Sequence, residues 1–384
     1  MFLSDTHERQ RLAPACYFDA EFFDAEQEQL FRHSWQFVCT QKELAKDGDF
    51  VTRDILNTPI LVRRDNGSLH GFINACAHRF AKLTDQPCGH SEKLTCQYHG
   101  WQYDVDGKTQ RIPDAVSFKP LANTELGLKR IETTQIGPMV FAKIPKPDRT
   151  SAGEAATAFV EASADLVPAS MLELHAENTL LPANWKVIVE NAIESYHVGC
   201  VHADSFSIMP TAETCSHELH DDFTVFETTF PSQAAAILRY GERWIHRQLG
   251  VAHREHYEQR HLYPNLMLSA SKIIAVMMLV EPVSPVSSRF HLRIFGNRGT
   301  RGGVLPSIAF RTAANWAVRE VRRVLAEDFA VIPSIQQGLM SKVLPAGGLI
   351  SVREERITHF QRKIQSALHD HVPERFYWTT NAGS

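Results

Sequence analysis

The chain has 384 residues, 43% hydrophobic and 22% charged, which excludes a disordered chain and supplies enough apolar side chain for two domain cores. With 40 Lys and Arg against 44 Asp and Glu, the formal charge is −4, so no broad basic field favours nucleic acid or an anionic membrane. The start MFLSDTHERQRLAP lacks the apolar core of a signal peptide, and the longest apolar run, Ile273 to Val280, is too short to span a bilayer; the expectation is a cytoplasmic protein.

Residues 15–35 place Phe18, Phe22, Phe23, Leu30 and Phe31 among Glu, Gln and Asp, which predicts an amphipathic helical arm with Asp19 and Asp24 as candidate N-caps. From Phe37 to Ile144 the texture changes to short runs rich in Val, Ile, Thr and Phe. They are broken at Asp47-Gly48, Asn66-Gly67, Asp106-Gly107 and Gly137-Pro138, the pattern of consecutive hairpins in an all-β domain. Pro145 to Gly153 has linker composition, and an Ala-rich helical stretch follows from Glu154 to Asp165. The remainder mixes expected helices near 184–200, 232–249 and 311–329 with strand-like runs at 223–230, 273–283 and 289–296, an α+β domain. The expected division is an arm at 1–35 packing on the second domain, a β domain at 36–148 and an α+β domain at 149–384.

Seven cysteines in a chain of this kind do not form a disulfide framework, and the odd count points to thiolate chemistry at a few positions. Within the β region stand Cys76-Ala-His78 and Cys96-Gln-Tyr-His99, each a Cys and a His able to grip one metal centre from a loop. Two thiolates and two imidazoles match a [2Fe–2S] cluster in which two His replace two Cys on one iron. Structural zinc accepts the same set, but zinc sites usually pair Cys with Cys and His with His, whereas each half here contributes one of each. Any one of these residues alone would read as a buried Cys or a core His.

Further on, Glu194, His197 and His202 lie in the helix-forming run that starts at Asn184. Glu194 and His197, three residues apart, share a helix face. His202 is five residues on, roughly 140° around an ideal helix, so both His reach one metal only if the helix bends or ends near Gly199. Two His and one carboxylate with open positions suit ferrous iron and dioxygen, and the carboxylate has to come from elsewhere in the chain. The His-rich second half (217, 220, 246, 253, 256, 261) is otherwise the stuff of surface and packing, and Glu190 with Glu194, one turn apart, also fits a solvated acidic face.

The runs C-A-H-R and C-Q-Y-H-G-W-Q-Y-D-V-D-G-K resemble the two cluster loops of the terminal oxygenase (alpha) subunits of Rieske non-haem iron oxygenases, and the similarity extends over most of the chain. One departure is Phe80, where the family commonly has Gly after His-Arg. The resemblance implies an α+β fold overall: an all-β Rieske [2Fe–2S] domain and a catalytic domain with an antiparallel sheet and helices, of helix-grip type. It implies one cluster on Cys76, His78, Cys96 and His99. Glu327-Asp328-Phe329, followed by Gln336-Gln-Gly-Leu339, resembles the family's ligand-bearing helix, so Asp328 is the implied third ligand of the mononuclear Fe(II) with His197 and His202. Glu194 takes the position of the acid that, in the family, bridges a cluster His of one subunit to an iron His of its neighbour.

Many ring-hydroxylating members have Asp at that bridging position, so Glu194 is closer to members that oxidise quaternary ammonium compounds. Asn191 and Tyr196 are candidates for orienting the ligands, with helix packing as the alternative. The arm, His261 to Ser269, Arg289 to Gly296 and Arg353 to Gln361 resemble the choline, betaine and carnitine oxygenase branch, implying C–H oxidation beside nitrogen. Tyr240, Trp244, Tyr257 and Tyr263 are candidate cation–π partners, each with packing as the commoner alternative. The resemblance further implies a separate flavin reductase that draws on NAD(P)H, since the chain has no dinucleotide fingerprint, and a homotrimer with head-to-tail contacts. The alternatives are an oxygenase that hydroxylates the ring of an aromatic carboxylate, a non-catalytic Rieske electron carrier, and a zinc-stabilised interaction protein.

Overall fold

The computed structural model describes residues 2–3, 5–118, 126–144, 160–161, 163–205, 210–229, 236–252 and 256–378. The expected linker at 145–153, most of the Ala-rich stretch at 154–165, and His253 lie outside the described residues. Contacts divide the chain into two units, Phe31–Val160 and the pair Met1–Leu30 with Glu161–Ser384.

In the first unit, strands β1 (Gln36–Thr40), β2 (Asp49–Ile55), β3 (Thr58–Asp65), β4 (Ser68–Ile73), β5 (Cys88–His90), β9 (Arg130–Ile136) and β10 (Met139–Lys143) form an antiparallel sheet ordered β1-β10-β9-β4-β3-β2-β5. Strands β6 (Leu94–Thr95), β7 (Gln102–Tyr103) and β8 (Thr109–Arg111) form a smaller one. The Asn66-Gly67 turn joins β3 to β4 with both residues at positive φ, +48° and +74°, the conformation that a two-residue hairpin demands. The turn between β2 and β3 has the same form but is built from Leu56 and Asn57, at φ +47° and +60°, so it carries no glycine to announce it. One apolar cluster, including Val38, Val51, Ile60, Val62 and Val140, fills one part of this unit. A second, with Phe50, Phe72, Leu83, Trp101 and Tyr103, encloses Cys76 and Cys96.

In the second unit, β11 (Leu172–Leu181), β12 (Cys215–Leu219), β13 (Phe223–Thr229), β14 (His256–Leu262), β15 (Leu266–Ala270), β16 (Ile274–Ser284) and β17 (Ser287–Gly296) form an antiparallel sheet ordered β11-β17-β16-β15-β14-β13-β12. Three of these strands match the expected runs. Strand β11 reads LELHAENTLL, mostly partly exposed, and is a strand because β17 pairs with it along its length. Among the described residues the α-helices include α1 (Ala20–Glu26), α2 (Trp185–Ala192), α3 (Val198–Val201), α4 (Ala236–Leu249), α5 (Val304–Leu339) and α6 (Glu355–Leu368).

Three helix expectations need correction. The arm is not one helix: a 3₁₀ turn at Pro14–Tyr17 precedes α1, and a π-helical turn follows at Gln27–Phe31. Asp19 caps α1, accepting from the Glu21 and Phe22 amides, whereas Asp24 lies inside it. The helix expected at 311–329 is 36 residues long and continues through Pro333. The helix expected to reach Gly199 ends at Ala192, and Gly199 sits inside the separate short helix α3.

Side chains explain where α2 stops. The carbonyls of Ala192, Ile193 and Ser195 accept from Gln259 Nε2 (3.1 Å), Arg356 Nη1 (3.0 Å) and Arg353 Nη2 (2.9 Å). These donors replace the helical amides that would otherwise satisfy the last turn. The other end of α2 is also tied down. Asn184 caps it through Lys186 N, and the buried Glu26 carboxylate of α1 accepts from Lys186 Nζ (2.6 Å) and Trp185 Nε1 (2.9 Å). Gln336 of α5 accepts from Asn184 N (2.8 Å) and donates to the Tyr17 carbonyl (3.0 Å), joining arm, α2 and α5.

Candidate metal centres

The Cys76 and Cys96 loops are built alike. In one, the Phe80 amide donates to the Cys76 carbonyl (2.9 Å); in the other, the Gly100 amide donates to the Cys96 carbonyl (3.0 Å). Each loop closes on a residue at positive φ, Phe80 at +61° and Gly100 at +71°. Phe80 therefore occupies a backbone conformation for which glycine is the default, and its side chain is 81% exposed.

The loops bring together two buried thiols, neither in a disulfide, and two imidazoles whose ring centroids are 4.7 Å apart. His78 stacks on Trp101 at 5.0 Å with the planes 2° apart, which fixes its ring. Its Nδ1 is buried without a hydrogen-bond partner. Tyr103 Oη lies 3.0 Å from Cys76 Sγ and accepts from the Ala77 amide (3.0 Å). Burial raises the Cys76 pKa, so a thiolate here needs a cation beside it, and burial lowers that of His78, keeping its nitrogen lone pair available. Two buried sulfurs and an orphaned imidazole nitrogen suit an iron–sulfur cluster that takes two Cys and two His.

In the second unit, His197 and His202 flank α3 at its two ends. The break after Ala192 replaces the 140° divergence of a continuous helix with convergence: the two Nε2 atoms are 3.3 Å apart. Asp328, on α5, completes the group, with Oδ1 3.4 Å from His197 Nε2 and 3.2 Å from His202 Nε2. All three ligand atoms lie within 4.8 Å of one another. Asp328 Oδ1 is buried, and despite these short separations neither imidazole is aligned to give it a hydrogen bond. Three donor atoms turned on one point, with Asp328 Oδ1 buried and without a hydrogen bond, form a pocket for a cation, and the two-His, one-carboxylate set suits Fe(II).

Electrostatics agree. Burial would lower the His197 pKa, but Asp328 and Glu194 outweigh it and raise the value to about 9. Burial would raise that of Asp328, yet His197, His202 and Asn191 draw it down to about 2.

Glu194 is not on a helix face with His197, as expected, but in the turn between α2 and α3. It still meets His197 Nδ1, and it accepts from the Tyr196 and His197 amides. Tyr196 itself is 60% exposed. Glu190 is no solvated face: it is half-buried, and its Oε1 accepts from Tyr17 Oη (2.7 Å) and Gln361 Nε2 (3.0 Å).

Two residues behind His202 escaped the sequence reading. Glu327 Oε2 lies 2.8 Å from His202 Nδ1, and its other oxygen accepts from Ser205 Oγ. The only signal was adjacency to Asp328.

Of the four aromatic candidates, Tyr240 and Trp244 are exposed on α4, Tyr257 packs on Phe226, and Tyr263 Oη lies 2.7 Å from His359 Nδ1. The described contacts do not gather them into one cage. A second carboxylate and imidazole group, Glu227, His256 and Glu258, lies on β13 and β14, but Arg260 stands 2.6 Å from Glu258 and supplies the neutralising charge.

Residues 34–126 match the model of the Rieske [2Fe–2S] domain, and 163–370, more than half the chain, match that of the ring-hydroxylating alpha subunit catalytic domain. The chain belongs to the ring-hydroxylating alpha subunit family. It is a Rieske non-haem iron oxygenase, and its two domains imply a [2Fe–2S] cluster and a mononuclear iron, with electrons arriving through a reductase.

Among its relatives, the carnitine monooxygenase oxygenase subunit of Escherichia coli K12 is 26% identical over 96% of both chains. The anthranilate 1,2-dioxygenase large subunit of Acinetobacter baylyi is 30% identical over 50% of this chain, an alignment spanning 42% of that protein. The glycine betaine monooxygenase oxygenase subunit of Chromohalobacter salexigens is 32% identical over 49% of this chain and 42% of its own length. In fold, the chain is similar to the quaternary ammonium Rieske monooxygenase CntA in complex with L-carnitine, with a TM-score of 0.68 at 21% identity over 93% and 95% of the two chains. It is also similar to naphthalene 1,2-dioxygenase, with a TM-score of 0.65 at 17% identity over 95% and 97%. The expected Rieske domain with an antiparallel-sheet catalytic domain is the fold observed. Among the described residues, no helix is long and apolar enough to cross a membrane.

Proposed function

We propose that this chain is the oxygenase component of an enzyme that hydroxylates a C–H bond beside the nitrogen of a quaternary ammonium compound. The observation that carries the oxygen chemistry is the convergence of His197 Nε2, His202 Nε2 and Asp328 Oδ1. The substrate class is supported by similarity to a carnitine monooxygenase subunit along nearly the whole chain, and by Glu rather than Asp at position 194.

In this reading Cys76, His78, Cys96 and His99 hold the cluster, and His197, His202 and Asp328 hold the mononuclear iron. When bound, these groups supply one-electron transfer and dioxygen activation. The chain's own residues do the rest. Three protein ligands leave positions open for other ligands, Glu194 holds the Nδ1 proton of His197, and the buried Asp328 keeps one flank dry.

The net reaction takes a C–H bond, O2, two electrons and two protons to C–OH and water. The carbinolamine then collapses to an aldehyde and a shortened amine. The electrons come from NAD(P)H through a flavin reductase. Glu194 is the link between a cluster His of one subunit and His197 of the next in a cytoplasmic homotrimer, whose head-to-tail contacts bring the two together. The domain division is an arm at 1–35, the cluster domain at 36–148 and the catalytic domain at 149–384.

The test is oxygen consumption by iron-loaded protein with a reductase and NADH, screened against carnitine, betaines, choline and aromatic acids. Substrate-dependent uptake with aldehyde release supports the reading. A hydroxylated ring would instead establish the aromatic carboxylate reading, which the 30% identity to anthranilate dioxygenase over half the chain favours. Uptake that no substrate in the panel stimulates would refute both substrate classes.

A further inference from the structure

The two imidazoles that meet Asp328 are each backed by a carboxylate on the far ring nitrogen, and the two carboxylates have different origins. Glu194 backs His197 from three residues away. His202 is backed from across the fold, where Glu327 Oε2 on α5 lies 2.8 Å from its Nδ1. Glu327 adjoins Asp328, and neighbours on a helix point about 100° apart. One turn of α5 therefore presents Asp328 to the Nε2 side of His202, at 3.2 Å, and Glu327 to the Nδ1 side of the same ring.

The contact extends along both elements. Ser205 Oγ donates to the other oxygen of Glu327. Arg323, one turn earlier on α5, donates to the Asp204 carbonyl at 2.8 Å and lies 4.0 Å from Glu327. A neutral imidazole has one N–H, and an acceptor beside Nδ1 draws the proton there, leaving the Nε2 lone pair facing Asp328.

We infer that Glu327 is a positioning residue of the mononuclear site: it sets the tautomer and orientation of His202 and, with Ser205 and Arg323, fastens residues 202–205 to the helix that bears Asp328. This rests on the reading of His197, His202 and Asp328 as iron ligands. A bland alternative exists, in which the same contacts only anchor a loop; it predicts lost stability with unchanged metal affinity. The positioning role predicts the reverse weighting, because loss of a carboxylate behind a ligating imidazole costs about 10–100-fold in metal affinity.

Wild type, Glu327→Ala and Glu327→Gln are prepared with the cluster intact and the second site stripped by chelator. Fe(II) is then titrated anaerobically against a competing chromophoric chelator. Far-UV circular dichroism reports folding of the unit that holds Glu327, the visible absorption of the cluster reports the Phe31–Val160 unit, and Co(II) ligand-field bands report the coordination at the second site. The expected result is a Glu327→Ala affinity about 10–100-fold weaker, with altered Co(II) bands. Glu327→Gln should recover most of the affinity, because its Oε1 still accepts from Nδ1. Wild-type affinity and Co(II) bands in Glu327→Ala would reduce Glu327 to a loop anchor. If wild type itself takes up no Fe(II) beyond its cluster, the iron-ligand reading fails, and the role of Glu327 with it.

Discussion

Replacing Glu26 with Ala tests whether a buried ion pair fixes the helix that leads to the proposed metal ligands. Glu26 and Lys186 are both 0% exposed, and no water reaches the 2.6 Å contact between them. The substitution leaves the ammonium buried without this counter-ion and removes the Glu26 oxygen from the Trp185 indole N–H. Breaking such a pair costs about 3–5 kcal/mol. Lys186 Nζ keeps its places over Tyr17, Phe22 and Trp185, at 5.1, 5.2 and 5.3 Å, so the lower end of that range is expected. In a unit of this size 1 kcal/mol moves the melting temperature by about 2–4 °C, so the expected fall is roughly 6–12 °C.

Far-UV circular dichroism follows the melt, and cluster absorption reports the Phe31–Val160 unit separately. The double variant Glu26→Ala, Lys186→Met removes both charges and should recover most of the loss, since an apolar replacement of a buried pair is often close to neutral. A single variant melting within about 2 °C of wild type would refute the argument. So would a double variant no more stable than the single one.

Asp328→Ala is expected to abolish binding of the second iron while leaving the cluster's EPR signal intact, measured as iron per protein before and after chelation. Tyr103→Phe should lower the cluster's reduction potential by tens of millivolts, equivalent to ~1 kcal/mol for one electron, because a hydroxyl beside Cys76 Sγ favours the more negative reduced state; redox titration decides. Burial raises the Glu190 pKa to about 7, against the pull of Gln361 and Tyr17. A carboxyl raised in the folded state contributes stability that is full below its unfolded pKa and is lost as pH rises through the folded value, so this contribution fades between about 4.5 and 7. Glu190→Gln, whose Oε1 still accepts from Tyr17 and Gln361, should flatten that slope in urea melts at pH 5 and pH 8; an unchanged slope would contradict the assignment.

Much of the chemistry was legible in the chain itself. Cys76, His78, Cys96 and His99 sit within loops short enough that local backbone geometry brings each pair together, and the Asn66-Gly67 turn needs no distant partner to take its form. His197 and His202 were marked by residue type and spacing, whereas Asp328 became a candidate only by resemblance, because nothing local distinguishes one acid of α5 from another. The place where α2 ends was not legible. Gly199 is the obvious breaker, but Gln259, Arg353 and Arg356 reach the carbonyls of Ala192, Ser195 and Ile193 from strand β14, the 3₁₀ turn at Val352–Glu354 and the start of α6.

Those donors are more than 60 residues away in sequence, and no propensity scale contains them. The same holds for Glu327 behind His202, for Gln336 against Asn184, and for Tyr17 and Gln361 on Glu190, an acid that the chain alone offers as a surface group. Residue type and near neighbours along the chain are enough to mark groups suited to a metal and the short loops that present them, because those depend on local chemistry. The helix break and the carboxylates behind the imidazoles follow from the packing of distant segments, because a hydrogen bond or a buried charge depends on whatever the whole fold brings within about 3 Å.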